Sequence, residues 1–332
     1  MASGARPLVA VTRLIPEAGL ALLRDACEMR LWEGDLPPSP AELAELLHGA
    51  VGALTLLTDT IDGDVLDREP QLKVVSNFAV GYDNVDIDAA TARGVAVCNT
   101  PGVLTQTTAE FAFTLLMAAA RRVVEGATYV REGKWRTWGP KLLLGQDIVG
   151  ATLGIVGFGR IGREVAKMAR GFDMRILAYD PFEDDAAARE FNATYVPLDD
   201  LLRNADFVTL HVALTDETYQ LIGAREFGLM KQTAVLINAA RGPVVDTDAL
   251  VTALRDGEIF AAGLDVTDPE PLPADHPLAT LPNAIVVPHI ASATVTTRDK
   301  MAELAARNLL AVLHGERPEV IVNPEVLKNA QG

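Results

Sequence analysis

Residues 153–162 read LGIVGFGRIG. An apolar, partly β-branched run leads directly into Gly157, Gly159 and Gly162, and the residues beyond them carry helical spacing. A strand, a tight turn and a helix in that order make the first half of a βαβ unit that cradles a dinucleotide. Gly157 permits the turn, Gly159 lets the backbone approach a pyrophosphate, and Gly162 lets the helix lie close against the strand. The helix N-terminus, with Arg160 and Ile161 beside Gly162, offers unpaired N–H groups to phosphate oxygens. Eighteen residues past Gly162 stands Asp180, closing RILAYD, where an acidic residue takes a ribose 2′-hydroxyl. NAD(H) is the expected cofactor and NADP(H) the less favoured one. A 2′-phosphate would face the Asp180 carboxylate, with Arg160 nearby to soften the repulsion.

The pattern around this stretch fixes the fold class. From TLGIV (152–156) onward, apolar runs recur at RILAY (175–179), FVTLHV (207–212), AVLINA (234–239), AAGLDV (261–266) and AIVVP (284–288), with helical segments between them. The first hundred residues alternate in the same way. LVAVT (8–12), GALTLL (52–57), KVVSNF (73–78) and VAVCNT (95–100) read as strands; 16–26, PSPAELAELLHGA (38–50) and VDIDAATARG (85–94) read as helices. Such alternation gives right-handed crossovers and parallel sheets, hence an α/β protein. The texture changes at Pro101-Gly102, and TTAE (107–110) is a capping-box pattern that opens a helix expected to run to about 130. An irregular, tryptophan-bearing arm follows over 131–150, and a last amphipathic helix spans 296–315. Crossing points near 101 and 292 allow that helix to return to the first domain. The expected division is 1–101 with 293–332 as one domain, and 102–292 as the dinucleotide-binding domain.

Bulk composition narrows the function. A chain of 332 residues suggests about two domains. Net charge is −16, which argues against nucleic acid or an anionic membrane surface as partner. The longest apolar stretch, around FAFTLLMAAA (111–120), falls well short of a membrane span, and the N-terminus has no signal-peptide pattern. A cytoplasmic protein is expected. Cys27 and Cys98 lie in apolar surroundings and read as buried thiols; no Cys/His cluster suggests a metal.

In open α/β sheets, ligands sit outside the carboxyl ends of the strands. Behind the strands of the second block stand Arg241, Asp265 leading to Glu270, and His289. An arginine, a carboxylate and a histidine thus converge on the edge that holds the dinucleotide. Hydride transfer to a 2-oxo acid uses each type. Arginine grips the acid with a bidentate fork and polarises the carbonyl. Histidine titrates in the useful range and supplies the proton, an effect worth roughly 10²–10⁴-fold. A carboxylate beside the imidazole favours its protonated form and holds its tautomer. His48, His211, His276 and His314 are read as structural or exposed.

These residues resemble the D-isomer-specific 2-hydroxyacid dehydrogenase family. GFGRIG (157–162), NAARGPVVD (238–246), GLDVTDPEPLP (263–273) and PHIASAT (288–294) look like its successive signatures, in order and over nearly the whole chain. VSNFAVGYDNVD (75–86), NTPGVLT (99–105) and WGPKLLLGQDIVGATLGIVGFGRIG (138–162) are most similar to its glyoxylate/hydroxypyruvate reductases. The resemblance implies a Rossmann dinucleotide-binding domain and a flavodoxin-like substrate domain with a cleft between them. It implies Arg241, Glu270 and His289 as the catalytic set, and substrate held by Leu56 and by backbone N–H groups of Val80 and Gly81. It places Thr108 at the cofactor phosphates, and the backbone at Ala239 and the side chain of Asp265 at the nicotinamide end. It implies a homodimer embraced through an arm at about 120–150 that includes Trp138. Ala291 stands where many members have glycine. Asp180 stands where several glyoxylate reductases carry a basic or neutral residue and use NADPH. Other substrates of the family (2-ketogluconate, 3-phosphoglycerate, phosphite) stay open at this stage, as does an NAD-sensing regulator sharing the fold.

Overall fold

The computed structural model describes residues 6–329, which fall into two compact units: the chain up to Leu104 together with the chain from Ala293, and Thr105–Ser292. Each is built on one parallel sheet.

The first unit has five strands: β1 (Leu8–Val11), β2 (Glu28–Leu31), β3 (Gly52–Thr55), β4 (Val74–Asn77) and β5 (Ala96–Cys98). Their spatial order is β2-β1-β3-β4-β5, the flavodoxin-like order, with its switch point between β1 and β3. The helix Val295–Leu313 packs on this sheet and on the helix Glu17–Ala26. The approach is tight at Gly19, where an added Cβ would lie 2.6 Å from the Ala302 carbonyl oxygen. The tail then seals the free edge of β5. The Val322 amide donates to the Val97 carbonyl, and the buried Asn323 side chain accepts from Val97 and donates to Val95 and Thr91. Covering an exposed edge in this way removes a site for unwanted strand pairing.

The second unit has seven strands: β6 (Thr152–Val156), β7 (Arg175–Tyr179), β8 (Ala193–Tyr195), β9 (Phe207–Leu210), β10 (Val235–Asn238), β11 (Ala261–Leu264) and β12 (Ala284–Val286). They lie in the order β12-β11-β10-β9-β6-β7-β8, all parallel. This is the Rossmann order extended by one strand, so both expected fold types are present. Alternate residues feed two apolar layers. Leu153, Ile155, Val235 and Ile237 face one, and Val156, Val208, Leu210 and Leu236 face the other. Burial on both faces is what makes these strands continuous apolar runs.

The structure corrects the sequence reading in three places. β2 and β8 are absent from that reading; both are edge strands, half exposed, without a continuous apolar run. The helix expected from TTAE to 130 is two helices. One spans Thr105–Ala120, already begun when TTAE is reached; the other spans Val123–Arg131. Arg122 between them is left-handed, at φ 51°. The break follows from the arm: the Gln146 amide takes the Ala120 carbonyl at 2.9 Å, and an added Cβ at Gly145 would lie 2.3 Å from the same oxygen. Arg122 then turns to Glu125 with two hydrogen bonds, 2.7 and 2.8 Å. Apolar periodicity runs on through the break and so conceals it. Cys27 and Cys98 are both free and buried, and burial pushes the Cys98 thiol up to about 12.

Candidate active site

Parallel pairing puts the carboxyl ends of β6, β10, β11 and β12 on one edge of the second sheet. The glycine turn follows β6. Gly157 adopts φ 94°, and an added Cβ would lie 2.6 Å from the His211 backbone, so this position admits no side chain. An added Cβ at Gly162 would lie 2.3 Å from the Gly157 carbonyl oxygen, which is the close helix–strand packing expected of it. Gly159 differs: a Cβ there would meet nothing within 4 Å. Its surface is open, at the N-terminus of the helix Arg160–Ala169, as an approaching pyrophosphate requires. Arg160 is exposed, Ile161 half-buried, and Thr108 buried in the first turn of its helix. These residues fit a dinucleotide.

Asp180 follows β7 and accepts the Phe158 amide at 2.8 Å and the Phe182 amide at 2.9 Å. It therefore ties the glycine turn to the end of β7. A carboxylate has about four acceptor positions, so capacity remains for a ribose hydroxyl. His211, after β9, is half-buried. Its Nε2 lies 2.9 Å from the Thr209 hydroxyl, and burial pushes its pKa down to about 4, so it is neutral and structural. His276 caps a short helix by accepting the Leu278 amide.

His289 and Glu270 meet directly, Nδ1 to Oε1 at 2.7 Å. Burial works against the Glu270 charge. The hydrogen bond and charge of His289, with help from the Thr267 amide and Arg241, outweigh it and hold the carboxyl below its ordinary range. Its charge therefore stabilises the fold above the free-glutamate range, and that contribution is lost as pH falls through the lowered value. Replacing His289 by glutamine leaves burial less opposed, so the Glu270 titration is expected to move upward. Carbon-13 NMR of the Glu270 carboxyl reads this directly, and a downward or null shift would refute the pairing as its cause.

His289 occupies the left-handed region, at φ 53°, an uncommon state for a residue with a side chain. Asp265 compensates. Its carbonyl accepts the His289 amide at 2.9 Å, and its carboxylate accepts the amides of Ile290 and Ala291 at 2.7 and 3.0 Å. Burial pushes the Asp265 carboxyl above its usual range, against the pull of those two amides. Asp265 is 1% exposed, and its work is to hold the loop that carries His289.

Arg241 is held by residues that sequence reading overlooked. The buried Asn238 side chain accepts the Ala240 amide at 3.1 Å and donates to the Arg241 carbonyl at 2.8 Å, bracing the turn through the half-buried Ala239. Gly242 then lies against the Glu270 loop, where an added Cβ would sit 1.9 Å from the Thr267 carbonyl oxygen. The signal for Asn238 was its place at a strand end. Gly242 had none beyond its Gly-Pro dipeptide. In the first unit, Leu56, Val80 and Gly81 are half-buried on loops after β3 and β4. Among the described residues no cluster suited to a metal occurs, and no helix is long and apolar enough to cross a membrane.

A nucleotide-binding glycine turn and an Arg/Glu/His group on one sheet edge define a nicotinamide-dependent dehydrogenase. The model of the D-isomer-specific 2-hydroxyacid dehydrogenase NAD-binding domain matches residues 113–291. A glyoxylate reductase of Korarchaeum cryptofilum is 52% identical over 324 residues, covering 97% of this chain and 98% of that protein. A solved structure of a Thermus thermophilus protein superposes with TM-score 0.90 at 49% identity, over 95% of this chain and 99% of that one. An NADPH-dependent glyoxylate/hydroxypyruvate reductase of Sinorhizobium meliloti, solved with NADP and malonate, gives TM-score 0.85 at 32% identity, over 96% and 97%. The chain belongs to the D-isomer-specific 2-hydroxyacid dehydrogenase family.

Proposed function

We propose that this chain reduces glyoxylate, and hydroxypyruvate as a second substrate, to the 2-hydroxy acid, the D-isomer where the product is chiral. The observation that carries the mechanism is the 2.7 Å pairing of His289 Nδ1 with Glu270. That bond places a proton on Nδ1 and leaves Nε2 as the nitrogen that delivers one to the carbonyl oxygen. Glu270 holds the ring in that tautomer and orientation. Arg241 grips the acid and polarises its carbonyl, and the amides of Val80 and Gly81 hold the carboxylate with Leu56 beside it. Bound NADH, held through Gly157, Gly159, Arg160, Ile161, Gly162, Thr108 and Asp180, supplies the hydride. The backbone at Ala239 and the side chain of Asp265 would border its nicotinamide end. In this reading residues 1–101 with 293–332 form the substrate domain and 102–292 the NAD domain.

Nicotinamide absorbance during reduction of glyoxylate, with NADH and NADPH in parallel, tests this reading. Fast NADH oxidation is expected; negligible turnover with both cofactors would overturn the substrate assignment. Asp180→Ala is expected to shift preference toward NADPH by about ten- to hundredfold, since the repulsion of a 2′-phosphate disappears. An unchanged NADH/NADPH ratio of kcat/KM would remove Asp180 from that role.

A homodimer is part of the same reading. Residues 120–150 expose Val123, Val124, Val130, Trp135, Trp138 and Leu144, with Trp138 at 78%. So much apolar surface on one segment marks a protein interface. Sedimentation at twice the 35.5 kDa chain mass is expected; a monomer at micromolar concentration would exclude it.

A further inference from the structure

At the switch point of the first sheet, several polar side chains are buried in the core. Thr12, Thr55 and Asn77 are fully buried, and Asp59 is 2% exposed. They form one network with Asn84. The Asn84 amide group donates both its hydrogens, to the Leu56 carbonyl at 3.0 Å and the Asp59 carbonyl at 2.8 Å. Its oxygen accepts from the Asn77 amide group at 3.0 Å, which also donates to the Gly81 carbonyl at 2.9 Å. The Asn77 oxygen accepts from the Thr55 hydroxyl at 3.1 Å. The Asp59 carboxylate accepts from the Leu56 amide at 2.7 Å and from the Thr12 hydroxyl. Every donor of the two asparagines is therefore committed, and the loop after β3 is tied to the loop after β4.

The second loop is aimed as well as tied. Thr100 donates its amide to the Ala79 carbonyl at 2.8 Å, and Asn99 donates its side-chain amide to the Val80 carbonyl at 2.7 Å. A peptide unit is planar and trans, so its N–H points opposite to its C=O. Fixing those two carbonyls therefore fixes the Val80 and Gly81 N–H groups on the opposite side. No acceptor among the described residues takes either of these amides. Two unpaired N–H groups on the side away from those carbonyls can receive an anion.

We propose that Asn84, through Asn77, is a positioning residue that sets substrate length. It holds the Leu56 side chain at a fixed spacing from the amides of Val80 and Gly81. This rests on the assignment of those three residues to the substrate. With the spacing fixed, a two-carbon oxo acid fills the gap, while a longer one is crowded by Leu56. When the bridge is cut, the loops part, the short acid loses its grip, and the longer acid gains room.

Asn84→Ala and the milder Asn84→Ser test this in the full-length enzyme, using NADH with glyoxylate and with 2-oxobutyrate. For either folded variant the KM for glyoxylate is expected to rise about ten- to hundredfold with kcat within about threefold, because ground-state binding is what is lost. The preference for glyoxylate over 2-oxobutyrate is expected to narrow at least fivefold, with the Kd for NADH unchanged. A lowered melting temperature with an unaltered preference would mean a purely structural role and overturn the proposal. A crystal structure of the unmodified enzyme with NADH and oxamate separates the two layers. If the oxamate carboxylate lies away from the Val80 and Gly81 amides, the underlying assignment falls. If it lies on them while both variants keep the original KM and preference, only the positioning role falls.

Discussion

Replacing His289 by alanine is expected to lower kcat for glyoxylate reduction by roughly 10²–10⁴-fold, the range lost when a general acid is removed. The Kd for NADH, read by fluorescence titration, is expected to stay within about twofold, because the loss falls on the reaction step. Truncation leaves the arrangement around it intact. Asp265 holds the loop through backbone amides, and those bonds do not depend on the imidazole. Alanine is less at ease than histidine at φ 53°, so a glutamine variant serves as control for backbone strain. Glutamine offers an amide that cannot release a proton in place of the imidazole, so it is expected to be as inactive as alanine. Near-full activity in either variant would remove His289 from the proton-donor role.

Gly242→Ala carries the second large effect, at a residue that makes no contact with substrate in the proposed mechanism. Its new Cβ would sit 1.9 Å from the Thr267 oxygen and 2.1 Å from the Thr267 carbonyl carbon, both backbone atoms. Neither can swing aside as a flexible side chain would. Either the turn after Arg241 or the loop leading to Glu270 must move by about an ångström or more. Overpacking of this kind costs about 3 kcal/mol of stability. A displacement of that size between Arg241 and the Glu270–His289 pair is expected to lower kcat by about a hundredfold. Thermal unfolding and steady-state kinetics on the same preparation check both. Wild-type turnover in a folded Gly242→Ala enzyme would show that the close packing of the two loops is not what sets their geometry.

Both effects rest on loops, and loops are where sequence reading and structure part. All but two strands of the two sheets, the glycine turn and the placement of Arg241, Glu270 and His289 behind successive strands were legible. Each is a local pattern: an apolar run, three glycines at fixed spacing, a polar residue at a strand end. Alternation gives parallel sheets, and the flavodoxin-like and Rossmann types were implied by the family resemblance. Edge strands β2 and β8 were not legible, because a half-exposed strand has no apolar signature. Nor was the break at Arg122, because the group that ends the helix, the Gln146 amide, comes from more than twenty residues downstream.

Thus the residues of this chain by themselves determine which chemistry is present and on which sheet edge it stands. Strand direction and burial are set by local apolar patterning, and parallel pairing then puts all carboxyl ends together. Only the tertiary structure decides how those groups are held. It shows Asp265 spent on the loop of His289, Asn238 bracing Arg241, Gly242 admitting Thr267, and Asn77 with Asn84 joining two loops of the first sheet. The reason is physical. A hydrogen bond or a backbone contact between residues far apart in the chain leaves no periodicity and no spacing to read. It exists only once the strands that carry its partners are side by side.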